Sequence, residues 1–290
     1  MTSNKDYVLA LYHQQSVKDL FDEYAETFDD HLQNGLRYNV PSQLYECWMK
    51  HFLETKQNDH FDEEEVEENV VTLNLMDGAG QQGNGAMKDS NTLTIRDEAS
   101  DTRPVIHCHK VVQRCLDLGC GTGLAGAVFR NNCTYLEGVD LSHNMCRQAK
   151  KKQIYDRVVC GTLLSHMKQQ PADSFDLILS ADVFMYVLDL KIVLDEIHRI
   201  MTPRYGCCVF STESFDDDDD RKENVVVDGT DPNVCRRPSE RFAHKRRYII
   251  EMAVTTLRWK LVSVTHTALR MDENIPIMGD IFVFQKGSSY

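Results

Sequence analysis

The run Arg114-Cys115-Leu116-Asp117-Leu118 leads straight into Gly119-Cys120-Gly121-Thr122-Gly123 and then into a helical pattern. A short apolar run of this kind suits a buried parallel strand, and glycines directly after it permit a tight turn and the close approach of a ligand to the backbone. Few folds other than a parallel α/β sheet place a strand, a glycine loop and a helix in that order. The central stretch keeps the alternation. Strands are expected over 134–139, 157–160, 175–181 and 206–211, and helices over 142–153 and 188–201, the last closed by Pro203. A helix over 244–258 and strands over 260–269 and 280–285 complete the sheet. Right-handed crossovers put helices on both faces.

Upstream, Ser16 with Asp19 resembles a capping box, and Val17, Leu20, Phe21, Tyr24, Ala25, Phe28 and Leu32 recur at helical spacing as far as Gly35. Pro41 opens a second helix through Leu44, Cys47, Trp48 and Phe52. Seven of the ten residues in 59–68 are acidic, and periodicity stops there. The division expected is an N-terminal helical lid over 1–54, an acidic and polar disordered insertion over 55–103, and a core over 104–290. Within that core, 215–240 forms an acidic loop carrying Asp216 to Asp220 in a row.

Lys and Arg total 32 against 45 Asp and Glu, a net charge of −13, which argues against a chain built to grip a nucleic-acid backbone. No apolar run is long enough to span a membrane, and the start lacks the basic and apolar regions of a secretory signal, so the expected location is cytoplasmic. The ten cysteines are then reduced thiols. His107-Cys108-His109 is the one tight cluster of metal-ligating types, and no metal is expected.

Gly121-Thr122-Gly123-Leu124-Ala125-Gly126 satisfies the dinucleotide pattern G-x-G-x-x-G, so the ligand class has to be decided by charge. Asp117 sits just before the glycines, where a pyrophosphate would be repelled, whereas the ammonium and sulfonium of S-adenosylmethionine would be attracted. Asp140 closes the next strand in Gly138-Val139-Asp140-Leu141-Ser142 and is placed to accept both ribose hydroxyls. Its simpler role is to cap the following helix, which Ser142 can also do.

With these residues in place, 111–211 resembles the class I S-adenosylmethionine-dependent methyltransferases. The likeness lies in Asp117-x-Gly119-x-Gly121-x-Gly123, in Gly138-Val139-Asp140-Leu141-Ser142-x-x-Met145, and in Ser174-Phe175-Asp176-Leu177-Ile178. Three further segments are similar to small methyltransferases related to the tetratricopeptide-associated group, although no such repeat occurs here. They are Leu20-Phe21-Asp22-Glu23-Tyr24-Ala25 with Phe28-Asp29-x-His31-Leu32, then Ala181-Asp182-Val183-Phe184-x-Tyr186 with Asp189-Leu190, and last Arg241-Phe242-Ala243-His244. The resemblance implies a Rossmann-like α/β fold with a seven-stranded, mostly parallel sheet. It also implies S-adenosylmethionine bound by Asp117, Gly119, Gly121, Gly123, Asp140, Leu141, Met145, Thr162, Leu163 and Ala181. Where the family pattern often offers Gly-Asp for the adenine, this chain has Gly161-Thr162.

A sulfonium is an activated methyl donor, so the protein mainly aligns a nucleophile and excludes water. A carboxylate or thioether acceptor loses no proton, while an amine, thiol or hydroxyl can require a base. The family likeness implies that the first helix covers the methionine end of the cofactor, with Tyr24 completing the pocket. Phe184 and Tyr186 form an aromatic acceptor wall, Arg241 binds an acceptor carboxylate, and His244 and Glu213 are the candidate bases. The expected activity is methyl transfer to a small-molecule acceptor. The alternatives are a protein methyltransferase and a non-catalytic binding or assembly protein.

Overall fold

Period-two alternation along the strands sorts their side chains into two apolar layers, one on each face of a single sheet. A computed structural model describes residues 4–58, 111–203, 205–215, 232–272 and 274–287. Strand β1 (Val112–Leu118) lies between β2 (Cys133–Asp140) and β4 (Leu177–Ser180), both parallel to it. β3 (Arg157–Cys160) flanks β2 and β5 (Cys207–Phe215) flanks β4, again in parallel. β8 (Lys260–Asp272) and β9 (Ile275–Gln285) close the far edge as an antiparallel pair, with β9 antiparallel to β5. The path β3-β2-β1-β4-β5-β9-β8 supplies the seven mostly parallel strands expected, within a sheet of nine.

One face carries Leu116, Leu118, Ile178, Phe210, Phe282 and Phe284 and is covered by α7 (Leu190–Ile200) and α8 (Arg246–Glu251). The other carries Cys115, Leu177, Leu179, Val209, Ile281 and Val283 under α3 (Val40–Asn58) and α4 (Leu124–Phe129). α7 shows the logic in small compass. Asp189 caps it by accepting from the Lys191 N–H at 3.0 Å, and Leu190, Val193, Leu194, Ile197 and Ile200 recur at helical spacing and are all buried. Each contributes on the order of 1.5–3 kcal/mol against leaving it in water.

Several boundaries move. The first helix starts at Asn4, not Ser16, and ends at Tyr24. A turn through Thr27 then leads to α2 (Phe28–Asp30) and a wide turn over His31–Gly35. The apolar spacing continues across this break because both pieces face the same cavity. α3 extends to Asn58, past the boundary set at 54. Its Val40, Leu44 and Trp48 are buried against the sheet, so it is a core layer, and only α1 (Asn4–Tyr24) and α2 form a cover. The acidic loop expected over 215–240 contains β6 (Val234–Arg236), which pairs with β7 (Phe242–Lys245). β7 adjoins the end of β5. The helix expected from His244 therefore begins at Arg246, because His244 is held in β7. Residues 59–103 of the expected insertion, 216–231 of the acidic loop, and His107-Cys108-His109 lie outside the described residues.

Candidate active site

The order of the sheet reverses at β1, between β2 and β4, so the carboxyl ends of these strands open a crevice where open α/β sheets bind ligands. A cavity of about 1650 Å³ lies there, beneath α1 and α2. Gly119 and Gly121 line it with φ of +72° and +52°. A Cβ on Gly119 would stand 2.3 Å from Val183 Cγ2, while one on Gly121 would meet nothing nearer than Phe28 Cε1 at 3.9 Å. The first glycine is needed for loop packing and the second leaves open space for a ligand.

Asp140 lies on the cavity wall. The Gly121 N–H donates to its Oδ2 and the Ser142 N–H to its Oδ1, both at 2.8 Å. Burial pushes this carboxyl up, and the two N–H groups oppose the shift. Each oxygen keeps a lone pair for a ribose hydroxyl. The helix cap falls to Ser142, whose hydroxyl accepts from the Met145 N–H at 3.1 Å, so Asp140 is not spent on it. Leu141, Met145, Leu163 and Ala181 line the same end. Thr162 does too, with its Oγ1 accepting from Ser165 N–H at 3.1 Å as the cap of α6 (Leu163–Lys168), so its hydroxyl proton is what it can offer an adenine. This is a fit for a nucleoside: an acid with spare acceptor capacity, an open glycine and an apolar slot.

Asp117 and Gly123 stand behind the loop rather than on the cavity wall. Alternation along β1 sends Asp117 to the face of Cys115, where Tyr155 OH donates to it at 2.6 Å, and burial pushes its carboxyl up to about 7. The attraction expected between Asp117 and a cationic ligand gives way to a role in bracing the loop. A Cβ on Gly123 would come within 3.0 Å of the Tyr155 ring. Because the folded carboxyl titrates above its unfolded value, the native state holds a proton that the unfolded state releases between about pH 4 and 7. Stability should therefore fall as pH rises through that window. In urea titrations at pH 5 and 7.5, Asp117→Asn should show a smaller loss than wild type, and equal losses would disprove the shift.

The covering helices are latched to the loop and to α5 (His143–Lys151) by two acids that the sequence reading assigned no role. Asp22 accepts from Ser142 Oγ at 2.5 Å and from the Asn144 N–H at 3.1 Å. Burial pushes Asp22 up, but bonds from Lys18 and Ser142 outweigh it and hold the carboxyl near about 2. Asp29 accepts from Thr122 Oγ1 and pairs with Lys152 at 2.6 Å. Tyr24 lines the cavity, its hydroxyl bonded to His31 Nδ1 and its ring edge-on to Phe28. Both latch acids lie within the motif Leu20 to Leu32, yet local spacing gives no sign of a partner some hundred residues away.

At the opposite end, Tyr186 and Arg241 share the wall, with Arg241 Nε donating to Tyr186 OH at 3.3 Å. Three other expected residues are not on it. Phe184 is fully buried in the core beside Phe210, at 5.0 Å between ring centroids, so Tyr186 alone supplies the aromatic wall expected of the pair. His244 is buried in β7 with Nε2 3.5 Å from the Leu188 carbonyl. Glu213 is not a free base. It is buried in β5, bonded to Arg270, 3.0 Å from Arg237 Nε and 4.0 Å from Arg241 Nη1. Arg270, on β8, also reaches Asp182 at 2.7 Å and lines the cavity, as Asp182 does. Burial pushes Asp182 up, with Arg270 opposing, and its φ is +59°. Arg270 was missed because one arginine in a strand looks solvent-facing until its partners are known.

A sheet of this order, with antiparallel β9 set between β5 and β8, a glycine loop after β1 and an acid closing β2 on one cavity, has the class I S-adenosylmethionine-dependent methyltransferase fold that the resemblance implied. Residues 116–209 match the protein family described as "Methyltransferase domain". Among curated relatives, a malonyl-[acyl-carrier protein] O-methyltransferase of Halorhodospira halophila is 33% identical over 105 residues, 34% of this chain and 35% of that one. Its namesake from Hamiltonella defensa is 35% identical over 99 residues, 33% and 36% of the two chains. This chain thus spans about a third of the length of the curated relatives it matches. The solved structure of the YcgJ protein from Bacillus subtilis overlaps 62% of this chain and 94% of its own, with 16% identity and a TM-score of 0.47. Among the described residues no helix is long and apolar enough to cross a membrane, and no group of His, Cys, Asp and Glu could hold a metal.

Proposed function

We propose that the chain methylates a carboxylate oxygen of a small-molecule acid, with Arg241 receiving the carboxylate. The carrying observation is the charge balance at that end of the cavity. Arg237, Arg241 and Arg270 surround two carboxylates, Glu213 and Asp182, so one positive charge remains over. Arg241 and Arg270 both line the wall, and of the three arginines Arg241 is the loosest in the network, 4.0 Å from Glu213. A guanidinium in that position matches a carboxylate by its fork geometry. When bound, S-adenosylmethionine supplies a sulfonium methyl whose leaving group is a neutral thioether, so transfer to a carboxylate yields an ester and releases no proton. The two bases expected from sequence, His244 and Glu213, are off the wall, and a carboxylate acceptor needs neither. The curated relatives are named for O-methylation of a malonyl group, which agrees in class.

Gly119, Gly121, Asp140, Leu141, Met145, Thr162, Leu163 and Ala181 would hold the cofactor. Tyr24 and Phe28, latched from above, would exclude water. With methyl-labelled cofactor and a panel of carboxylic acids, label should move into base-labile esters. Arg241→Ala should raise the acceptor KM by about tenfold or more, the range for a lost charged hydrogen bond, and leave binding of S-adenosylhomocysteine unchanged. Tyr24→Ala should disturb both ligands. Label entering protein bands and no small acid, or an Arg241→Ala enzyme that behaves as wild type, would refute the proposal.

A further inference from the structure

We infer that the acceptor is a free amphipathic monocarboxylic acid, its carboxylate at Arg241 and its apolar chain along Tyr186, Leu188, Ile192 and Leu20. This rests on the carboxylate reading above and specifies the part of the acceptor that Arg241 does not touch. The cavity, at about 1650 Å³, exceeds the roughly 300–1,000 Å³ of ordinary small-ligand pockets, so a nucleoside cofactor leaves room for a sizeable second molecule.

That room is walled by carbon. From Arg241 the wall continues to Tyr186, whose ring meets the edge of Phe21 at 5.5 Å. Beyond it, Leu188 and Ile192 lie four residues apart at the entrance to α7. On α1, Val17, Leu20, Phe21 and Tyr24 present a stripe at helical spacing to the same cavity. Leu20, Leu188 and Ile192 are 53%, 40% and 45% exposed. Single exposed leucines are ordinary, but three on one cavity wall form a patch of the kind that binds an apolar partner. Of the charged residues beside Leu188 and Ile192, Lys191 pairs with Asp195 at 2.6 Å, and Asp189 caps α7. They make a polar rim around an apolar path that ends on a guanidinium, which is the pattern of an acid with a hydrocarbon tail.

The test is calorimetry on the full chain loaded with S-adenosylhomocysteine, titrated with hexanoate, dodecanoate and dodecanol below their aggregation limits. Burial of the extra methylenes should make dodecanoate bind at least tenfold tighter than hexanoate, and loss of the carboxylate should make dodecanol at least tenfold weaker than dodecanoate. Ile192→Asp should remove most of the chain-length preference while S-adenosylhomocysteine binds as before, which also shows that the variant is folded. Equal affinity for hexanoate and dodecanoate would overturn the inference and leave the carboxylate reading standing. Equal affinity for dodecanol and dodecanoate would overturn both. Binding of neither acid to the loaded protein would overturn the inference alone, the carboxylate reading resting on the wider panel of acids. Methylation of a thioester-linked acid with none of the free acids would overturn the free-acid assignment.

Discussion

Gly121→Leu is expected to abolish cofactor binding, with loss of more than a hundredfold in affinity for S-adenosylhomocysteine, while the protein stays folded. Nothing stands closer than 3.9 Å to a Cβ at this position, so the new side chain finds space, and that space is the ligand's approach to the loop. Holding a non-glycine residue at φ +52° costs about 1–2 kcal/mol, or a fall of several degrees in Tm for a protein of this size. Gly119→Ala provides the contrast. Its Cβ would collide with Val183 at 2.3 Å, so its main effect should be on stability. Calorimetry and thermal melts separate the two, and normal binding by Gly121→Leu would remove the loop from the site.

Arg270→Met should be the most destabilising substitution at the acceptor end, by about 3–5 kcal/mol, because it leaves Asp182 and Glu213 as buried carboxylates that have lost their shared cation. The sign with pH follows from burial, which already pushes Asp182 up in the native protein. Without Arg270 the folded state should bind protons more tightly still, so the variant should lose more stability at pH 8 than at pH 5. Adding Glu213→Gln should recover part of the loss by removing one of the two charges. Urea titrations of the single and double variants decide this, and an Arg270→Met protein as stable as wild type would show that the network carries little.

Elements whose identity depends on neighbours in sequence were legible from sequence alone. The apolar run ending at Leu118, the glycines that follow and the acid closing β2 are local patterns with a local physical cause, and they led to the sheet, the crevice and the cofactor. Asp140 was legible as a candidate ribose ligand for the same reason, and the structure places it on the cavity wall with Ser142 capping the helix in its stead. Arg241 and Tyr186 were reached through motif resemblance, and they meet across 55 residues of chain.

Residues whose role depends on what packs against them were not legible. Glu213 has the composition of a loop acid and is the buried centre of an arginine cluster. His244 resembles a base and lies within a short strand. Phe184 sits two residues from Tyr186 and turns into the core. Asp117 satisfies a charge argument for a cationic ligand, yet strand alternation carries it to the opposite side of the loop, against Tyr155. Sequence by itself determined the order of the strands and helices of the α/β core and the sheet edge on which the cavity opens, because backbone turning and apolar periodicity act over a few residues. Only the tertiary structure decided which charged groups face the cavity and which brace it. A carboxylate's solvation and partners are set by segments that can lie a hundred residues away, as for Asp22 with Ser142 and Asp29 with Thr122.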